Sequence, residues 1–218
     1  MQLSDSISRF TVFLKRNGPL ATLRRAAVVV KRFLVSGNTV VFWCDLATHP
    51  TDAPALPSSL KLDRTRNEAE ISPQDLHRMT IFWNPKLARR NIKERLQQGS
   101  SLWTLRFEGK LAAYGWTIQG HTIEPHYFRL VPEDVHLFDF LVFPEYRGQG
   151  LNPLLVNQIL HKLAAESRGR AFIEVAEWNK AQLCSLKKTP FIRLGLARKT
   201  MIFGYTVLAW APDRPVGQ

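Results

Sequence analysis

The sequence predicts an α/β fold built on a mixed sheet, with a helical extension at the N-terminus. Three observations predict it. Short runs rich in β-branched and aromatic residues alternate with stretches of three- and four-residue apolar spacing. Glu108-Gly109, between two apolar runs, marks a tight hairpin, so part of the sheet is antiparallel. The stretch from Val135 to Pro153 reads as a strand, a glycine turn and a helix start in succession.

The chain has 218 residues, 45% hydrophobic and 22% charged, which excludes a disordered or fibrous protein. Lys and Arg outnumber Asp and Glu by 30 to 18, a net charge of +12. Such a balance favours an anionic partner: a nucleotide-like cofactor, a phospholipid surface or nucleic acid. No nucleic-acid-binding motif accompanies the charge, so nucleic acid is the least expected of the three. Cys44 and Cys184 have no metal-type spacing and are expected to be core thiols in a reducing compartment. No stretch has the length of a signal peptide's apolar core or of a membrane span. The expectation is a cytoplasmic protein, soluble or peripheral to a membrane.

Taken in order, Ile7–Lys15 and Pro19–Val35 are helical, with Leu20, Leu23, Ala27, Val30 and Leu34 on one stripe. Arg24, Arg25, Lys31 and Arg32 fall largely off that stripe. A solvated basic face and a surface for anionic lipid or an acidic substrate both fit it. Thr39–Cys44 is a short apolar strand. Residues 1–46 are therefore read as a basic helical extension plus a strand. Pro50, Pro54 and Pro57 make 47–60 a linker, and 61–218 the main domain.

A strand is expected within Lys61–Ile71. Ser72-Pro73 and Asn84-Pro85 are helix starts, a capping side chain followed by proline in the first turn. Ser101–Phe107 and Lys110–Ile118 form the hairpin, and Gly120–Pro132 is a loop. After the glycine turn come a helix over Pro153–Ser167, a strand over Ala171–Ala176 and a helix over Asn179–Lys188. Ile192–Arg198 and Lys199–Val207 close the chain as a hairpin. His161 lies off the apolar face of its helix and reads as solvated rather than catalytic.

The glycine turn carries the chemistry. Glycines allow close backbone approach, and a helix start offers unpaired N–H groups at a positive dipole end, which suits a pyrophosphate. Strand–glycine–helix joints are also common plain connectors.

Residues from about Leu137 to Leu196 resemble the GNAT superfamily of acyl-CoA-dependent acyltransferases. Three features carry the resemblance: the run from Leu141 through Pro144 to Arg147-Gly148-Gln149-Gly150-Leu151; Asn179 after the next strand; and the interval from Asn179 to Lys188-Thr189-Pro190-Phe191. The resemblance extends over Lys61 to Tyr205. It implies a GNAT-like mixed sheet, splayed at the centre and flanked by helices, and acetyl-CoA or another acyl-CoA as co-substrate, without a metal. It also implies transfer of the acyl group to an amine or hydroxyl of a small-molecule acceptor. By the same resemblance Leu141, Val142 and Phe143 meet the pantetheine and thioester, with the Val142 N–H at the oxyanion. Arg147, Gly148, Gln149, Gly150, Leu151 and Asn152 hold the pyrophosphate, and Asn179 bonds the arm.

The chain departs from the family pattern at Asn152-Pro153, which reads as helix cap and first residue, and at Pro190 in place of glycine. Leu186 stands where many members carry a tyrosine acid. For the base, Asp139 is the first choice, followed by His136 and His126; His121 and Glu124 sit on the loop before the strand. Trp83, Trp103, Trp116 and Tyr127 are either core or an acceptor wall. An anionic acceptor suits the basic charge, and membrane contact would run through the N-terminal helices. The rival reading is an inactive binding or membrane-surface module that keeps the fold.

Overall fold

The computed structural model describes residues 38–81, 84–123, 126–166, 169–202 and 205–213. The expected N-terminal helices and their basic face lie outside the described residues. No helix among the described residues is long and apolar enough to cross a membrane.

The described chain separates into two compact units, residues 67–98 and residues 38–66 with 99–213. In the first, Asn67 caps a single 3-10 turn, Glu68–Glu70. Helix α1 (Pro73–Thr80) starts where Ser72 Oγ accepts the Asp75 N–H at 3.1 Å. Helix α2 (Pro85–Gln97) starts where Asn84 Oδ1 accepts the Lys86 and Leu87 N–H groups at 3.1 and 3.3 Å. Each helix begins at the expected capping residue, because the cap satisfies N–H groups that the helix itself leaves orphaned.

The second unit is a mixed sheet with two helices. Its strands are β1 (Asn38–Asp45), β2 (Leu60–Thr65), β3 (Ser101–Phe107), β4 (Lys110–Gln119), β5 (Val135–Val142), β6 (Arg170–Ala176), β7 (Ile192–Ile202) and β8 (Tyr205–Pro212). They stand in the order β2-β3-β4-β5-β6-β1-β7-β8. Only β5 and β6 are parallel among the described pairs. Helix α3 (Leu151–Glu166) makes the right-length crossover between them, and α4 (Lys180–Leu186) follows β6. The β3–β4 turn is the expected one: Glu108 and Gly109 both have positive φ, 49° and 77°. The β7–β8 pairing runs from Ile202↔Tyr205 to Gly195↔Pro212, so β7 continues four residues beyond the expected Arg198 before the chain reverses.

Leu155, Val156, Ile159, Leu160 and Leu163 of α3 are fully or almost fully buried, in one cluster with Leu137, Ile173 and Val175 of the sheet. Burial of each such side chain contributes on the order of 1.5–3 kcal/mol. This packing fixes α3, and with it the helix start, against β5 and β6.

Strand β1 corrects the expected division of the chain. Rather than belonging to an extension, it is the interior strand between β6 and β7, antiparallel to both, with Val41 wholly buried. The proline segment after it is a strap on α3, not a free linker. Leu46 is buried and its N–H reaches Gly169 O at 3.0 Å. Gln158 Nε2 donates to Pro54 O at 2.7 Å, and His161 Nδ1 lies 2.7 Å from Pro50 O. Carbonyls in a proline-rich stretch have few backbone donors nearby, and polar side chains on the helix serve instead. Cys44 is buried as expected, and burial pushes its thiol up to about 11, with Asp45 adding to the rise. Cys184 is exposed, contrary to expectation.

Candidate functional site

The sheet opens between β5 and β6. Their parallel pairing covers only Val135↔Ala171, His136↔Phe172 and Leu137↔Ile173, yet β5 continues to Val142 and β6 to Ala176. The cause is a bulge in β5. Register with β4 slips between Trp116↔Phe138 and Tyr114↔Leu141, so Asp139 and Phe140 together oppose Gly115. Asp139 takes a left-handed conformation, φ 48°, which Asp tolerates better than most residues. Such a bulge sharpens strand twist and turns the later residues of β5 away from β6.

Beyond the bulge the main chain faces the slot. The Phe143 N–H donates to Ala112 O at 3.0 Å, which makes that pair a hydrogen-bonded one across the ladder. By antiparallel alternation the Val142 N–H and C=O then point away from β4. The carbonyl accepts Arg147 Nε at 3.1 Å.

A short turn, Pro144–Tyr146, leads to Gly148 and Gly150, with φ 80° and 74°. Nothing lies within 4 Å of where a Cβ on either would stand. Helix α3 begins at Leu151, and its first bond runs from the Leu154 N–H to Gly150 O at 3.3 Å. Main-chain N–H groups of residues 148–152 have no acceptor among the described residues. Five successive unpaired donors around an open turn at a helix N-terminus fit a diphosphate. The adjoining groove of about 550 Å³ is lined by Arg147 and Lys188 and by no carboxylate among the described residues.

Leu141, Val142, Arg147, Gly148, Gly150, Leu151, Asn152 and Asn179 all line this groove. Phe143 does not. Only 1% exposed, it packs beside Tyr114 at 6.1 Å between centroids, because strand alternation turns it inward. Gln149 does not line the groove either; its Nε2 lies 3.5 Å from Glu145 O. Asn152 is the second residue of α3 and Pro153 the third, so Asn152 is not the cap. Its side chain turns to α4, donating to Gln182 Oε1 at 3.0 Å and Ser185 Oγ at 2.8 Å, which leaves the helix N–H groups open. Asn179 caps α4, accepting the Gln182 N–H at 3.3 Å. Leu186 is a core residue, 1% exposed, whereas its neighbour Ser185 lines the groove.

The residues proposed for proton transfer separate. Asp139 is exposed at the bulge, while His136 is 9% exposed. Burial pushes His136 down to about 4 against the opposing pull of Glu174, with His126 and Lys199 adding to the fall, so its imidazole is uncharged at neutral pH. His121 is exposed, with Nδ1 2.9 Å from Gln119 O. Glu124 and Trp83 lie outside the described residues. Trp103 and Trp116 are core, each 1% exposed. Sequence reasoning missed Glu174. Its signal was an acid in the otherwise apolar strand run Ala171–Ala176.

The sequence profile of the acetyltransferase (GNAT) family matches residues 64–183, more than half of the chain. No curated protein matches the chain by sequence. Among solved structures, a GNAT-family acetyltransferase from Colwellia psychrerythraea is similar, with TM-score 0.51 and 16% identity over 72% of this chain and 52% of that one. A tandem GNAT protein from the clavulanic acid biosynthesis pathway is similar with TM-score 0.53 and 17% identity, over 84% of this chain and 55% of that one. The chain thus spans about half the length of these two solved relatives. Such identities speak to the fold alone. The profile match runs through the bulge, the splay and the glycine turn, and by it this chain belongs to the GNAT family of acetyltransferases.

Proposed function

We propose that the protein transfers an acetyl or other acyl group from a CoA thioester to an amine or hydroxyl of a small-molecule acceptor. One observation carries the reading: the β5–β6 ladder ends at Leu137↔Ile173 and the slot beyond it runs to a turn with five unpaired N–H groups. Residues 148–152 hold the diphosphate through those amides, and Arg147 and Lys188 add positive charge. Leu141, Val142 and Asn179 take the pantetheine arm, whose amides pair with open strand main chain as a peptide would. The Val142 N–H then stands where the carbonyl oxygen gains charge during attack.

Asp139 is the proposed proton acceptor, because it is exposed at the mouth of the splay whereas His136 is buried. The thiolate leaves with little acid help, since a thiol titrates at about 8.5. An anionic acceptor suits the chain's charge of +12.

Release of free CoA thiol from acetyl-CoA, measured over a panel of amines and alcohols, tests the reading. An acceptor-dependent rate that falls at least about tenfold in Asp139→Asn, with acetyl-CoA affinity retained, supports it. Asn also tolerates positive φ, so the bulge survives the substitution. Leu186 in the core favours a second reading, an acyl-CoA-binding module without chemistry. That reading predicts acetyl-CoA binding with no acceptor-dependent thiol release.

A further inference from the structure

Outside the cofactor groove, three titratable side chains from three elements converge: His126 from the loop after β4, His136 of β5 and Glu174 of β6. Strand alternation places His136 and Glu174 on the face opposite Leu137 and Ile173, away from α3. Donor atoms of the three lie within 4.8 Å of one another. His126 Nδ1 is 2.7 Å and His136 Nε2 is 3.7 Å from the same oxygen, Glu174 Oε1.

Two features set this cluster apart from an ordinary hydrogen-bonded one. Both ring nitrogens of His136 and Nε2 of His126 are inaccessible to solvent and have no hydrogen-bond partner among the described residues, while His126 Nδ1 lies against Glu174 Oε1. Such buried polar atoms want a partner. The oxygens of Glu174 are also divided: Oε1 faces the imidazoles while Oε2 lies 3.9 Å from Lys199 Nζ. That is the arrangement of a ligand oxygen backed by an outer group.

We propose that His126, His136 and Glu174 form a site for a divalent first-row cation of the zinc class. Two imidazoles and a carboxylate are a common three-ligand set for Zn²⁺. Bonds of ~2.0–2.1 Å at tetrahedral angles put ligand atoms about 3.3 Å apart, between the 2.7 and 3.7 Å distances here. Aromatic rings hold the imidazoles in place: Phe128 lies 4.6 Å from His126 and Phe138 stacks 5.5 Å from His136, centroid to centroid. His126 also borders an open groove of about 740 Å³ lined by residues 120–123, 126 and 128–132, the side from which a cation would enter. A bound cation would tie that loop to the sheet beside the splay. The site stands independently of acyl-CoA binding.

The test uses the full chain, stripped with a chelator and titrated with Zn²⁺ by calorimetry and with Co²⁺ by visible absorption. The site predicts one equivalent bound, with the ligand-field bands of four- or five-coordinate cobalt. His126→Ala and Glu174→Gln should each weaken binding at least about tenfold. His126→Cys should restore it with a thiolate-to-cobalt charge-transfer band. A His49→Ala/His161→Ala double variant, removing a histidine pair elsewhere whose rings lie 4.6 Å apart, should bind as wild type. No saturable binding, or binding that survives both ligand substitutions in folded protein, overturns the proposal. Acetyl-CoA binding measured on the same stripped protein separates that failure from failure of the acyltransferase reading.

Discussion

The ring of Phe140 lies over Gly115 and fills the space that any side chain there would need, its Cδ1 standing 2.6 Å from the ideal Cβ position. The glycine of β4 and the bulge of β5 are therefore one device. Gly115 admits the ring, and the ring, which lines the groove beside the glycine turn, is held where the extra residue of the bulge puts it. Gly115→Ala forces the ring aside. We expect a loss of about 1–3 kcal/mol by denaturant unfolding, as for other overpacked sites. Acetyl-CoA affinity should fall with it.

Gly148 and Gly150 differ in kind, because open space surrounds both and only their positive φ resists substitution. Alanine at either position costs about 1–2 kcal/mol of local strain. The turn can relieve that strain by giving up its conformation, so global stability should change little. Acetyl-CoA affinity should drop about tenfold or more, read by calorimetry. A large loss of stability with unchanged affinity would contradict the role given to the turn.

Val41 is wholly buried between β6 and β7 although it precedes the proline segment. Val41→Ala should cost about 2–3 kcal/mol, the usual scale for an aliphatic cavity. Removing residues 1–46 takes β1 out of the middle of the sheet and should abolish cooperative unfolding. Membrane contact through the N-terminal helices is therefore tested by lipid flotation of a deletion ending before Asn38, where β1 begins. Wild-type stability in Val41→Ala would contradict the central place of β1.

Local chemistry made much of this legible in the sequence. Ser72 and Asn84 announced their helices, Glu108-Gly109 its turn, and the glycines after Pro144 the helix start. Long-range choices were not legible. An apolar run such as Thr39–Cys44 pairs equally well at an edge or in the interior, and only the sheet order settles it. Proline composition in 47–60 reads as a linker until Gln158 and His161 bond its carbonyls. At the site, spacing picked out the turn. It could not show that Phe143 turns inward, that Asn152 reaches Ser185, or that a loop histidine meets Glu174.

Asp134 is wholly buried and binds Arg170 twice, Nε to Oδ1 at 3.0 Å and Nη2 to Oδ2 at 2.7 Å, and accepts the Val131 N–H at 2.9 Å. Burial alone would raise its pKa, but the Arg170 and Val131 hydrogen bonds outweigh it and hold the carboxyl below its ordinary value. A depressed folded-state pKa stabilises the protein above the unfolded value of ~3.9, and that contribution is lost as pH falls through the folded value. Asp134→Asn should cost about 1–3 kcal/mol at pH 7, the scale of hydrogen bonds to a charged group. Its stability should also change less than wild type's below about pH 4, measured by urea unfolding across pH.

Calorimetric titration of the folded chain with acetyl-CoA bears most directly on the claim that the slot and the turn of residues 148–152 hold a thioester. The geometry predicts one saturable site per chain, weakened about tenfold or more by Gly150→Ala. A folded wild-type chain that takes up no acetyl-CoA, or one that binds it equally well after that substitution, would contradict it.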